Sequence, residues 1–171
     1  MKAEPKSPSP DLRHTISVWV DNLPGVLLRV TGLFSARGFN IQSLCVAETV
    51  DPLVSRITLV TVGDELIVEQ IIKQLRKLIN VIKVVDLTPL EYVEREMALV
   101  KVKAEDRSRA EVLRIADIFR CRVVDVSPDT YTLEITGNHE KIKAVVGLLK
   151  GLGILEMVGT GTLAMQRSRK D

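Results

Sequence analysis

The pentapeptide Asp21-Asn22-Leu23-Pro24-Gly25 combines the residue types that hold a small anion. It lies between an alternating stretch, His14 to Val20, and an amphipathic one, Val26 to Arg37, where a strand is expected to give way to a helix. Pro24 has no amide to leave unsatisfied, and its fixed φ suits the first helical position. Gly25 and Val26 then present free N–H groups at the positive end of the helix dipole, where a carboxylate or phosphate docks. Asn22 both donates and accepts hydrogen bonds, which suits a ligand carrying an acid and an amine on neighbouring atoms. The plainer alternative is a turn and nothing more, since Asn, Pro and Gly mark turns generally.

Other reactive groups are sparse. His14 and His139 have no Cys or His at ligand spacing, so no metal site is expected and each reads as a surface residue. Cys45 and Cys121 form no Cys-x-x-Cys motif and read as reduced, structural thiols, which fits a reducing cytoplasm. Gly151-Leu152-Gly153 and Gly159-Thr160-Gly161 lack the continuation of a nucleotide loop and read as turn or bulge glycines. With no nucleophile–base pair in view, no catalytic residue is assigned, and an enzyme in its own right is disfavoured.

Composition narrows the partners. The chain has 171 residues, 46% hydrophobic and 27% charged, enough for an ordered fold of one domain or two small ones. Its 24 basic and 22 acidic residues are interspersed, leaving no basic stripe for nucleic acid. Charges interrupt every apolar run before the ~18 residues needed to span a bilayer, so no membrane segment is expected. Residues 1–12 are rich in Pro, Ser and Lys without the apolar centre of a secretion signal, and read as a disordered tail.

The elements needed to position the turn form a repeat. From Thr15 the pattern reads strand (to Asp21), helix (Pro24 to Arg37), strand (Ile41 to Thr49), strand (Ser55 to Val62), helix (Asp64 to Asn80) and strand (Val81 to Leu87). Val26, Val30, Leu33 and Phe34 make one apolar stripe, and Ile67, Ile71, Leu75, Leu78 and Ile79 the other. Trp19 falls on the strand face opposite Ile16, Val18 and Val20, away from the helices. After Thr88-Pro89 the order recurs. Met97 to Ala104 is a strand, and Ser108-Arg109-Ala110-Glu111 a capping box opening a helix with Val112, Ile115, Ala116 and Phe119. Arg122 to Val126 and Tyr131 to Thr136 are strands, Asn138 caps a helix bearing Ile142, Val145, Val146 and Leu149, and Ile154 to Met165 is the last strand. The fold class is α+β, two tandem ferredoxin-like βαββαβ domains, at 13–88 and 89–171. Only the first has a ligand-ready turn, because Ala104-Glu105-Asp106 puts acidic side chains at the equivalent place in the second.

The turn, Ser35-Ala36-Arg37-Gly38-Phe39-Asn40-Ile41-Gln42-Ser43-Leu44, Ser55-Arg56-Ile57-Thr58, Glu94-Arg95-Glu96, Ile118-Phe119-Arg120 and Val124-Asp125-Val126-Ser127 together resemble the regulatory small subunits of acetolactate synthase, also called acetohydroxyacid synthase. The resemblance covers nearly everything after Asp11, and the first unit resembles an ACT domain, an amino-acid-sensing module. It implies a non-catalytic protein that activates a separate catalytic subunit and confers feedback inhibition by valine or a related branched-chain amino acid. Thiamine diphosphate, magnesium and FAD are then expected only in that partner. It further implies a homodimer through edge-to-edge pairing of ACT domains, with effector sites at the pairing interface. Asn22, Gly25, Val26, Asn40 and Ile41 match the family's effector-site segments, with Leu23 and Pro24 between them; Asn22 and Asn40, one of them from the partner chain, would orient the ammonium, and Leu23 and Ile41 would receive the branched side chain. An ACT-type regulator of another enzyme or of transcription is the alternative, although no helix-turn-helix is evident. RNA binding is disfavoured because the central strands lack the stacking aromatics.

Overall fold

Strand β1 (Leu12–Asp21) sends Ile16, Val18 and Val20 to one face of a sheet, where each is at most 3% exposed. The computed structural model describes residues 12–105 and 108–168, so the expected tail lies, apart from Leu12, outside the described residues. β1 is followed by α1 (Val26–Ser35), β2 (Ile41–Glu48), β3 (Val54–Gly63), α2 (Glu65–Leu75) and β4 (Val81–Asp86). All pairings are antiparallel and the order is β2-β3-β1-β4, which leaves β2 and β4 as edges. The β1 side chains, with Ile57, Leu59 and Val84, meet Val26, Val30 and Phe34 of α1 and Val68, Ile71 and Leu75 of α2. Full burial of a side chain such as Phe34 contributes about 2–3 kcal/mol.

Two helix boundaries differ from the sequence reading. α1 starts at Val26, because Gly25 is its N-cap with φ 83°, so Pro24 sits in the turn before the helix and not at its first position. At the far end Gly38 takes φ 72°, and the Phe39 amide reaches back to the Phe34 carbonyl at 3.0 Å, an arrangement that closes a helix with a left-handed glycine. α2 ends at Leu75, and its core face is Val68, Ile71 and Leu75; Ile67 is 38% and Ile79 90% exposed. Asp64 caps that helix through the Leu66 amide.

The second unit repeats the order with β5 (Tyr92–Lys103), α3 (Arg109–Ile118), β6 (Arg122–Val126), β7 (Thr130–Gly137), α4 (His139–Lys150) and β8 (Ile154–Gly159), in sheet order β6-β7-β5-β8. Ala98, Val100, Val102, Leu133 and Ile135 lie beneath Val112, Ile115, Ile142, Val145 and Leu149. The single last strand expected from Ile154 to Met165 is two: Gly161, at φ 80°, breaks it before β9 (Leu163–Gln166). The capping box at Ser108 does not form. The Ser108 hydroxyl donates to the Glu105 carbonyl instead of capping α3, and Glu111 pairs with Arg114. Asn138 does cap α4, accepting from the Lys141 amide at 3.0 Å.

The chain is thus α+β, two ferredoxin-like units each with one helical layer on one antiparallel sheet. By compactness, residues 12–92 group with 164–168 and Val93–Leu163 forms the other unit. Among the described residues no helix is long and apolar enough to cross a membrane.

Candidate functional site

The Asp21–Gly25 turn is anchored on both sides. The Asp21 amide donates to the Asn80 carbonyl at 2.9 Å, and the Asn80 side chain bridges Asp21 Oδ2 at 2.9 Å and Arg29 Nη1 of α1 at 2.7 Å. Toward the β2–β3 loop, the Asn22 amide donates to the Leu53 carbonyl at 2.8 Å. The Asn22 side chain donates to Glu48 Oε1 at 3.0 Å and to the Pro52 carbonyl at 2.9 Å, and accepts from Ser55 Oγ at 3.0 Å. Both Asn22 Nδ2 hydrogens are therefore used within the fold, a commitment the sequence did not reveal.

The amides are arranged differently from the expectation at one residue. The Val26 N–H turns back to the Leu23 carbonyl at 3.3 Å, while among the described residues the amides of Gly25, Leu27 and Leu28 have no partner. The first intrahelical bond of α1 runs from the Arg29 amide to the Gly25 carbonyl, so these donors are the unsatisfied first turn of a helix. They point the positive helix end outward, with no acidic side chain in that turn to neutralise it. Leu23, Leu27, Leu28 and Leu53 are exposed beside them, at 59%, 41%, 74% and 76%. An exposed apolar group around fixed anion donors suits a small apolar acid or a protein contact.

Asn40 and Ile41 are elsewhere. Ile41 pairs with Thr61, which pairs with His14, whereas Asp21 pairs with Val54 at the other end of the same sheet. From His14 to Asp21 is seven residues of β1, or about 23 Å at roughly 3.3 Å per residue. Within one chain the two halves of the candidate site are not brought together. Asn40 is exposed, with its carbonyl accepting from Thr61 Oγ1 at 2.8 Å; Ile41 is half-buried against the core.

Of the two histidines expected at the surface, His14 departs from that placement. His14 is 4% exposed, with Nδ1 3.7 Å from Asp86 Oδ2, because its position on β1 is in phase with Ile16 and Val18. His139 is half-buried beside Glu96 at 3.3 Å. Cys45 and Cys121 are free thiols, and burial pushes the Cys121 thiol up, with Lys141 partly opposing. Among the described residues no group of His, Cys, Asp and Glu could hold a metal ion. Trp19 lies between the Arg56 guanidinium, 4.5 Å from its ring centre, and the Lys83 ammonium at 5.1 Å. Arg56 also donates to Ser17 Oγ at 3.0 Å and the Ala164 carbonyl at 2.6 Å, and burial lowers its pKa.

Known proteins are similar to this chain over most of its length. Residues 16–83 match the family model described as the AHAS small subunit-like ACT domain, and residues 95–168 that of the small subunit of acetolactate synthase. The chain is 52% identical over 156 residues to the acetolactate synthase small subunit of Aquifex aeolicus, covering 91% of this chain and 81% of that one. It is 47% identical to the Haemophilus influenzae acetolactate synthase small subunit, covering 94% and 99%. The crystal structure of the Thermotoga maritima acetolactate synthase small subunit superposes with a TM-score of 0.84 at 41% identity, covering 93% of this chain and 99% of that one.

Proposed function

The chain belongs to the family of acetolactate synthase small subunits, and from that premise we propose that it is the non-catalytic regulator of a separate catalytic large subunit in the cytoplasm. It activates that subunit and makes it sensitive to valine or a related branched-chain amino acid. Thiamine diphosphate, magnesium and FAD belong to the large subunit.

The observation that carries the effector part is the position of the two half-sites at opposite ends of an edge strand. If β2 pairs antiparallel with β2 of a second copy about a twofold axis, the Ile41 end of one strand lies beside the Glu48 end of the other. Asn40 and Ile41 of one chain then approach the Asn22 turn of its partner, which is tied to Glu48. The effector carboxylate takes the free amides of Gly25, Leu27 and Leu28, and its branched side chain takes Leu23 and the partner's Ile41. An effector bound across this seam favours one arrangement of the dimer, and a coupling of about 1–3 kcal/mol to the large-subunit contact gives inhibition of ordinary allosteric size.

Calorimetric titration of the full chain with valine, leucine and isoleucine tests this. About one ligand per chain is expected, as a symmetric dimer with two equivalent sites along its seam requires. Gly25→Asp, which sets a carboxylate where the effector's would sit, should abolish binding while activation of an added large subunit persists. Absence of binding by all three amino acids, or unchanged valine inhibition in the Gly25→Asp complex, would overturn the placement.

A further inference from the structure

The turn offers donors for an acid, but Asn22, one of the two residues expected to orient the amine, is already occupied. Each Asn22 Nδ2 hydrogen has a partner, Glu48 Oε1 or the Pro52 carbonyl, and Oδ1 already accepts from Ser55. Glu48 closes β2 and is exposed, and among the described residues it is in no ion pair. The Asn22 bond fixes one of its oxygens and leaves Oε2 without a partner among the described residues. A full negative charge is thus tethered to Asn22, which lies three, five and six positions before the unsatisfied amides of Gly25, Leu27 and Leu28. Donors on a turn to which a carboxylate is hydrogen-bonded are poorly arranged for a simple anion, which the carboxylate repels, and well arranged for a zwitterion, whose two ends satisfy both.

We propose that Glu48 accepts the ammonium group of the effector and makes the site specific for α-amino acids over 2-oxo acids of the same carbon skeleton; this rests on the reading of the Asn22 turn as the effector site. A 2-oxo acid presents a carbonyl oxygen where the ammonium would be, opposite a carboxylate that has no hydrogen to give it. The regulator would then report the aminated compound and ignore its unaminated counterpart, although the two share shape and carboxylate.

The test is titration of the full chain, unaltered and as Glu48→Gln, with valine and with the 2-oxo acid of valine's skeleton. The unaltered chain should favour valine by about tenfold or more, the value of a charge-assisted hydrogen bond. Gln keeps the size and an acceptor for Asn22, so Glu48→Gln should weaken valine by a similar factor without weakening the oxo acid, bringing the ratio toward one. Glu48→Asp, which keeps the charge, should recover part of the preference. An unchanged preference in Glu48→Gln would overturn the assignment of Glu48 alone. Failure of the unaltered chain to bind valine, leucine or isoleucine would overturn the reading of the turn, and Glu48 with it.

Discussion

Gly25 illustrates how much one residue can decide. Its φ of 83° is a left-handed conformation, yet a Cβ added there would meet open space. Gly25→Ala therefore costs about 1–2 kcal/mol in backbone strain and no steric clash. Because that strain falls on the cap of α1, Gly25→Ala should lower effector affinity partially, by less than Gly25→Asp, and calorimetry on the two variants should separate conformation from charge. The turn was legible because Asn, Pro and Gly at those offsets have local physical meanings. The contacts of Asn22 with Glu48 and Pro52 span 26 and 30 residues and depend on how β2 and β3 are registered, which local pattern does not encode. His14 was misread for a related reason: its burial follows from sharing a face with Ile16 and Val18, although its polarity suggested solvent.

At the scale of elements, α2 shows where periodicity is ambiguous. Ile67, Val68, Ile71, Ile72, Leu75, Leu78 and Ile79 admit more than one stripe, and the one expected, through Ile67, Ile71, Leu75, Leu78 and Ile79, continues past the end of the helix. The helix stops at Leu75, so residues beyond it need not follow its phase, and Ile79 is 90% exposed while Ile71 is 1% exposed. Ile71→Ala should cost about 2–5 kcal/mol by transfer and cavity terms. Ile79→Ala should fall within about 0.5 kcal/mol of no change, as exposed substitutions do. Urea unfolding of both variants, compared at equal m-value, checks the pair. Caps divided the same way. Asn138 performs the role its sequence position suggested, whereas Ser108 has a competing carbonyl acceptor at Glu105.

For the whole molecule, the order of strands and helices was legible because it repeats, and each repeat closes its own core. Strand order across the sheet was not, and that order makes β2 an edge. Val46, 39% exposed on β2, lies in the seam of the proposed dimer. Val46→Lys should place two ammonium groups in that seam, raise the dimer dissociation constant by at least about tenfold, and reduce valine binding in proportion. Sedimentation across a concentration series, with titration at each concentration, measures both. A variant that remains dimeric with full binding would show that the copies associate through another surface.

The separation of Asn22 from Ile41 by the length of a sheet has a genetic reading. If every effector site takes one half from each chain, two defective alleles can complement. A chain carrying Gly25→Asp and a chain carrying Asn40→Ala would each form insensitive homodimers. Their mixed dimer would concentrate both lesions in one effector site and leave the other with two sound halves. Co-expressed variants, separated by two affinity tags, should therefore regain valine binding at one site per mixed dimer. Silent mixed dimers would mean that each chain carries its site entire.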